Sequence, residues 1–385
     1  MCRAKVRLMR TRAGTIHRQF CRLGGCIRLM VCVVCFAVTS GCTLPYYWQA
    51  ATGHLDLIRK RVPIERILED PAQTASVKET LLLVLDMRRF AVEELALPDN
   101  KSYRSYVDLD RPYVVWNVVA AEEFAVDAKQ WCFALLGCVS YRGYFAREDA
   151  DDFAASLRAD GLETYIAGAS AYSTLGYFAD PVLNTMLAGG EAYISGILFH
   201  ELAHQKFYLK GESDLNEAFA TAVQQYGTQL WLMRRGSASD LESFRRRLDR
   251  QADFTALIAA QRERLATIYA SGSSAQTMRA AKIAAFQQMR AEYARYRESW
   301  GGVSDYDAWF GQPLNNAQIA SVTTYRRWLP GMLWYLDRYG LEGLYAQMSM
   351  LEALSQDARE QRLEAWLSEA AFASRAGRSL QIDRG

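Results

Sequence analysis

Phe199-His200-Glu201-Leu202-Ala203-His204-Gln205 is the stretch on which the reading of this chain turns. On a helix, His200 and His204 stand one turn apart on one face, roughly 6 Å along the axis, so both imidazoles can reach a single ion. Glu201 lies about 100° further round the helix, where its carboxylate can face a water beside that ion rather than the ion itself. Histidine is scarce, with only His17, His54, His200 and His204 in the chain, so composition does not produce the pair. A helix can carry two histidines and a glutamate without binding anything, but Ile194, Ile197, Leu198, Phe199, Leu202 and Ala203 make this one apolar. A buried helix must find partners for its polar side chains, and a metal ion is such a partner.

The pattern is HExxH, which in zinc peptidases supplies two ligands and a general base. A hydrolytic zinc site takes three protein ligands and leaves a fourth position to water. Past residue 41 only His54 remains as a further histidine, so the third ligand is expected to be a carboxylate. The longer pattern HExxHxxGxxH is excluded, because Phe207 and Lys210 stand where it needs Gly and His. Glu217, on the next helix as in gluzincins, is the leading candidate, followed by Asp214 and then Glu212. Asp214-Leu215-Asn216-Glu217 also fits a capping box, so two roles compete for the Glu217 carboxylate. Around one Zn2+ ion held there, Glu201 would take a proton from the attacking water and pass it to the leaving amine. The oxyanion formed on the way needs a donor besides the metal, and Tyr172 and Tyr325 are the expected suppliers.

The formal charge of +2 hides a split. Residues 1 to 41 carry eight basic side chains and no acidic ones, which leaves 37 basic against 43 acidic residues in the remainder. A mildly acidic body argues against nucleic acid as a partner. The first 41 residues read as an export signal: a basic region, the apolar run Leu29 to Val38, then small residues before Cys42. Ser40-Gly41-Cys42 resembles a bacterial lipoprotein cleavage site, with Thr39 in place of the usual leucine; an ordinary signal peptide or an uncleaved anchor are the alternatives. A lipid on Cys42 would hold the protein on the cell envelope, and Thr43 rather than Asp after it favours the outer membrane, facing the periplasm. Of eight cysteines only Cys42, Cys132 and Cys138 lie beyond that leader. In an oxidising compartment Cys132 and Cys138 can pair, closing a small loop worth about 2 kcal/mol, or they can be two buried thiols.

In chain order, apolar spacing predicts a helical hairpin over 42–100, with helices from Tyr46 to Lys60 and from Thr74 to Leu97. Residues 101–235 are expected to be a zincin-like catalytic core: strands between Val114 and Phe145, a helix from Asp149 to Asp160, and a strand from Glu163 to Ala167. An extended stretch from Gly168 to Phe178, a short helical segment after Asp180-Pro181 and the break at Gly189-Gly190 lead into the HExxH helix. A loop from Lys210 to Ser213 separates it from a helix over Leu215 to Arg234. Two polar helices, Ser239 to Ala270 and Ser274 to Arg297, predict a long antiparallel arm over 236–300, a surface on which a protein partner can dock. Helices from Asn316 to Gly340 and Leu341 to Leu367 would complete the site within 301–385. The fold class is therefore α+β, predominantly helical, with one small mixed sheet.

Several stretches together resemble a bacterial family of zinc aminopeptidases. They are Trp131-Cys132-Phe133 through Cys138 to Phe145, Ala171-Tyr172-Ser173-Thr174-Leu175-Gly176, Asp180-Pro181-Val182-Leu183, His200 to His204, Asn216-Glu217-Ala218-Phe219-Ala220, and Leu314-Asn315-Asn316-Ala317 with Thr324-Tyr325. The resemblance implies a zinc peptidase with His200, His204 and Glu217 as ligands and Glu201 as base, and it favours the Cys132–Cys138 disulfide. The substrate is then a peptide, and an aminopeptidase is the leading expectation. A short-peptide endopeptidase stays open, because Gly168 to Tyr172 has no carboxylate to hold a free α-amino group; Glu191 is the substitute in reach of sequence reasoning. A non-catalytic lipoprotein with a structural metal site is the reading from another class, and an intact Glu201 argues against it.

Overall fold

A computed structural model describes residues 44–133, 137–174, 176–323 and 327–375. Cys42 and Tyr325 lie outside the described residues. The chain divides into two compact units, Met1–Asp56 and Leu57–Gly385. The described part of the first is the beginning of helix α1 (Leu44–Lys60), in which Thr52 Oγ1 donates back to the Trp48 carbonyl at 2.8 Å. Everything below concerns the second unit.

It opens with strand β1 (Val62–Pro63) and the short helix α2 (Ile64–Glu69), which lie between the two helices expected from sequence. Helix α3 (Ala75–Glu93) is capped by Thr74, whose hydroxyl accepts from the Val77 amide at 3.3 Å. Strands β2 (Ser105–Val107), β3 (Val115–Ala121), β4 (Trp131–Phe133), β5 (Gly137–Val139) and β6 (Arg142–Tyr144) follow. Helix α4 (Arg147–Ala159) and strand β7 (Glu163–Ala169) come next. Where a helical segment was expected after Asp180-Pro181, the chain first forms strand β8 (Val182–Leu183) and only then the one-turn helix α5 (Asn184–Leu187).

The single mixed sheet expected from sequence is two sheets and a hairpin. One is β1-β2-β8, with β1 antiparallel and β8 parallel to β2. The other is β6-β3-β7, all antiparallel, with Val115 opposite Ala169 and Ala121 opposite Glu163. The hairpin β4-β5 sets Cys132 opposite Cys138. These strands are two to seven residues long, too short for periodicity to assign them to separate sheets.

Helix α6 (Glu191–Lys206) carries the HExxH stretch, and α7 (Ser213–Arg235) packs along it. Their contact is close because Gly227 has no side chain. A Cβ there would stand 2.6 Å from Leu95 Cδ1 and 2.9 Å from Phe199 Cδ2. Phe199 and Phe219 are fully buried, and Phe90 lies 5.8 Å from Phe199 and 5.3 Å from Trp231, so α3 closes the other side. Each such side chain contributes about 1.5–3 kcal/mol by leaving water, which makes this pair the centre of the main core.

Helices α8 (Ala238–Tyr269) and α9 (Ala275–Ser299) form an antiparallel hairpin, followed by α10 (Asp307–Phe310) and α11 (Asn316–Thr323). The hairpin is more than a solvated arm. Phe254 stacks on Tyr306 and Tyr293 on Phe310, each pair at 4.0 Å, inside a second apolar cluster. It is tied back to the β3-β7 sheet: the buried Lys282 ammonium donates to Glu163 Oε1 at 2.5 Å and to the Glu123 carbonyl at 2.8 Å. Asn316 Nδ2 donates to the carbonyls of Glu122 and Glu123 at 3.0 and 2.9 Å, while the Tyr269 hydroxyl donates to its Oδ1 at 2.8 Å.

The chain ends in α12 (Leu329–Glu352), broken at Gly340 (φ 67°), and α13 (Gln356–Arg375). The Gly340 break falls where sequence reading ended a helix; the breaks before Leu329 and after Glu352 were not foreseen. Among the described residues helix accounts for 64% and strand for 9%, so helix packing carries the architecture. Among the described residues no helix is long and apolar enough to cross a membrane.

Candidate metal centre

Three side chains converge where α6 and α7 meet. Nε2 of His200 and Nε2 of His204 are 3.1 Å apart. Glu217 Oε2 lies 3.4 Å from the first and its Oε1 3.5 Å from the second. Zinc ligands at about 2.0–2.1 Å in tetrahedral array are separated by about 3.3 Å along each edge, so the spacing fits one ion without moving a helix. His200, His204 and Glu217 are the one group of described His, Cys, Asp and Glu residues with metal-ligand spacing, their donor atoms all within 4.8 Å. The His200 ring is oriented by Gln224, whose Oε1 lies 3.0 Å from Nδ1. An amide oxygen only accepts, so Nδ1 carries the proton and the Nε2 lone pair faces the other two ligands.

The loop between the helices is fixed by Asn216, which is buried. Its Oδ1 accepts from the Leu209 amide and its Nδ2 donates to the Leu209 carbonyl, both at 2.8 Å. That reciprocal pair sets the entry of α7 and hence the position of Glu217, the next residue. The competing carboxylates are elsewhere: Glu212 pairs with Arg359 at 2.5 Å, and neither it nor Asp214 joins the group. The residue preceding α7 is Glu212, with no side-chain cap, so the Asp214–Glu217 capping box is not formed.

His200 and Glu217 also shift one another. Burial alone would raise the Glu217 pKa, yet its hydrogen bonds to His200 and His204 and their charges hold it well below the usual carboxylate range. Burial works to lower His200, but Glu217, Glu201 and Gln224 outweigh it and leave the imidazole above its ordinary value. The carboxylate and the imidazole thus stabilise one another's charged forms.

Glu201, on α6, makes no hydrogen bond or ion pair to a described residue, and its charge is felt by Tyr103 and Asp180. Tyr103 is fully buried and its hydroxyl is pushed far up by burial, then by Glu201 and Asp180. Asp180, also buried, is pushed up to about 6, first by desolvation and against the hydrogen bonds it receives from Thr174. Tyr103 and Gln224 are neighbours of the centre that the sequence did not single out, whereas Asp180 and Asn216 stood in the stretches that carry the resemblance but were given no role of their own. Tyr172 packs edge-on to Phe145 at 5.3 Å against the main core. Glu191 Oε1 accepts from Trp231 Nε1 at 2.7 Å and from Arg235 Nε at 3.1 Å. Cys132 and Cys138 are joined by a disulfide on the β4-β5 hairpin.

The fold is dominated by packed helices, and the HExxH helix meets a glutamate from the next. The family described as "Putative aminopeptidase" matches residues 45–363, and the chain belongs to that family. No curated protein matches the chain, and no solved structure does.

Proposed function

We propose that this chain is a zinc-dependent peptidase, with aminopeptidase action as its leading form. The observation that carries the reading is the convergence of His200, His204 and Glu217 within 4.8 Å beside an uncommitted Glu201. Those three residues would hold the ion, whose chemistry when bound is to acidify a water and polarise the scissile carbonyl. Glu201 takes the proton of the attacking water and returns it to the leaving amine. Gln224 keeps the His200 lone pair aimed at the ligand point. Tyr172 and Tyr325 are the proposed donors to the developing oxyanion.

The test is cleavage of a mixed peptide library by purified protein, with and without chelator, beside Glu201→Gln. Chelation should abolish cleavage, and the variant should lose about 10²–10⁴-fold in kcat while binding zinc as tightly as the wild type. Cleavage that survives both treatments would sink the reading. Matched peptides with free and acetylated N-termini separate the two forms: equal cleavage of both removes the aminopeptidase, and loss on acetylation removes the endopeptidase. For its place in the cell we propose lipidation at Cys42 and an envelope location facing the periplasm, on the leader pattern described above.

A further inference from the structure

Three large aromatic side chains turn toward solvent beside the metal centre: Tyr177 is 84% exposed, Phe178 52% and Tyr208 38%. One exposed aromatic needs no explanation; three at the same end of α6 do. Tyr208 follows the helix directly, its ring 6.5 Å from that of His204 and at 72° to it. The Glu217 carboxylate and Tyr177 both lie within electrostatic reach of the Tyr208 hydroxyl. Tyr177 and Phe178 ride on a loop that lies against Gln205, the residue after His204. A Cβ on Gly176 (φ +82°) would stand 3.4 Å from Gln205 Cγ.

That loop is fixed from within. The Tyr177 amide donates to the Thr174 carbonyl at 3.1 Å and the Phe178 amide to Thr174 Oγ1 at 3.0 Å. Thr174 in turn donates from Oγ1 and its amide to the buried Asp180 carboxyl at 2.8 and 3.1 Å. Aromatic rings whose own backbone is held by such bonds give large contact area at little entropic cost, the property of a binding surface rather than of a solvated turn.

We propose that Tyr177, Phe178 and Tyr208 form the subsite for a large apolar side chain on the residue adjoining the scissile bond, so that the substrates are peptides with Phe, Leu or a similar residue there. The occupant follows from position: an extended peptide advances about 3.3 Å per residue, so with its scissile carbonyl at the centre the adjoining side chain reaches the ring next to His204. The inference rests on the peptidase reading above.

The test compares kcat/KM of zinc-loaded wild type on two short peptide series, in which the residue before or after the cleaved bond is Ala, Leu or Phe. The wild type should favour Phe and Leu over Ala by about 10–200-fold in one series. Tyr177→Ala with Phe178→Ala should cut that preference at least about tenfold, with zinc affinity and thermal midpoint as in the wild type. An unchanged preference overturns the subsite. If the wild type cleaves no peptide, the peptidase reading fails separately, and the subsite is decided by calorimetry of Phe- and Ala-containing peptides on zinc-loaded Glu201→Gln with and without the double substitution. Preferential binding of the Phe peptide that vanishes with the two rings upholds it, and indifference to them overturns it.

Discussion

Gln224 holds the His200 ring through Nδ1 at 3.0 Å, and the substitution Gln224→Leu keeps the bulk while removing the acceptor. Zinc affinity should fall about 10–100-fold, read by competition with a chromogenic chelator; an unchanged affinity would mean that packing alone orients the ring. Asp180 is a different case, since its pKa rises on folding from 3.8 to about 6. A carboxyl raised on folding contributes stability that is full below pH about 4 and is lost as pH climbs through about 6, amounting to about 3 kcal/mol. Asp180→Asn keeps an acceptor for Thr174 and removes the titration. Its melting temperature relative to wild type should therefore be higher at pH 8 than at pH 4, and a difference independent of pH would refute the assignment. His200, Glu201 and His204 were legible because they lie within one helical turn. Gln224 and Asp180 were not, because only packing brings them near that turn.

At the scale of elements, the close α6–α7 contact depends on two absent side chains, at Gly196 on α6 and at Gly227 on α7. Gly227→Ala would drive a Cβ to 2.6 Å from Leu95 Cδ1 and 2.9 Å from Phe199 Cδ2. The helices must part, at a cost of about 1–3 kcal/mol, visible in urea titration as a lower midpoint. Because Glu217 rides on the same helix, zinc affinity should fall with stability; a variant as stable and as tight as wild type would contradict the close packing. The long helices α6 to α9 were readable to within a few residues from apolar spacing and from Gly189-Gly190 and Ser271-Gly272-Ser273 between them. Strands β1, β2 and β8 were not, since two or three residues carry no period and their pairing joins residues as distant as Tyr106 and Val182.

For the whole molecule, the address rests on the leader rather than on the folded body. Cys42→Ala should release the protein from the membrane fraction or block its processing, as followed by fractionation and mass; unchanged fraction and mass would remove the lipid anchor. The hairpin α8–α9 was expected to stand apart because its Arg and Glu content was visible and its ties were not. Lys282 meets Glu163 across 119 positions of sequence, a pairing that charge pattern along a helix cannot announce.

The asparagines at the start of α11 also place events in time. Asn315 Nδ2 donates to the Thr164 carbonyl at 3.0 Å and the Asn316 amide to Glu163 Oε2 at 2.7 Å, covering the first residues of β7 from 151 and 153 positions downstream. At about 5–20 residues per second of synthesis, the strand waits roughly eight to thirty seconds for its cover. Until then β7 is a bare edge of the kind that recruits other strands. Synthesis and delivery of this chain therefore have a vulnerable interval, and it ends when the segment around residue 316 arrives.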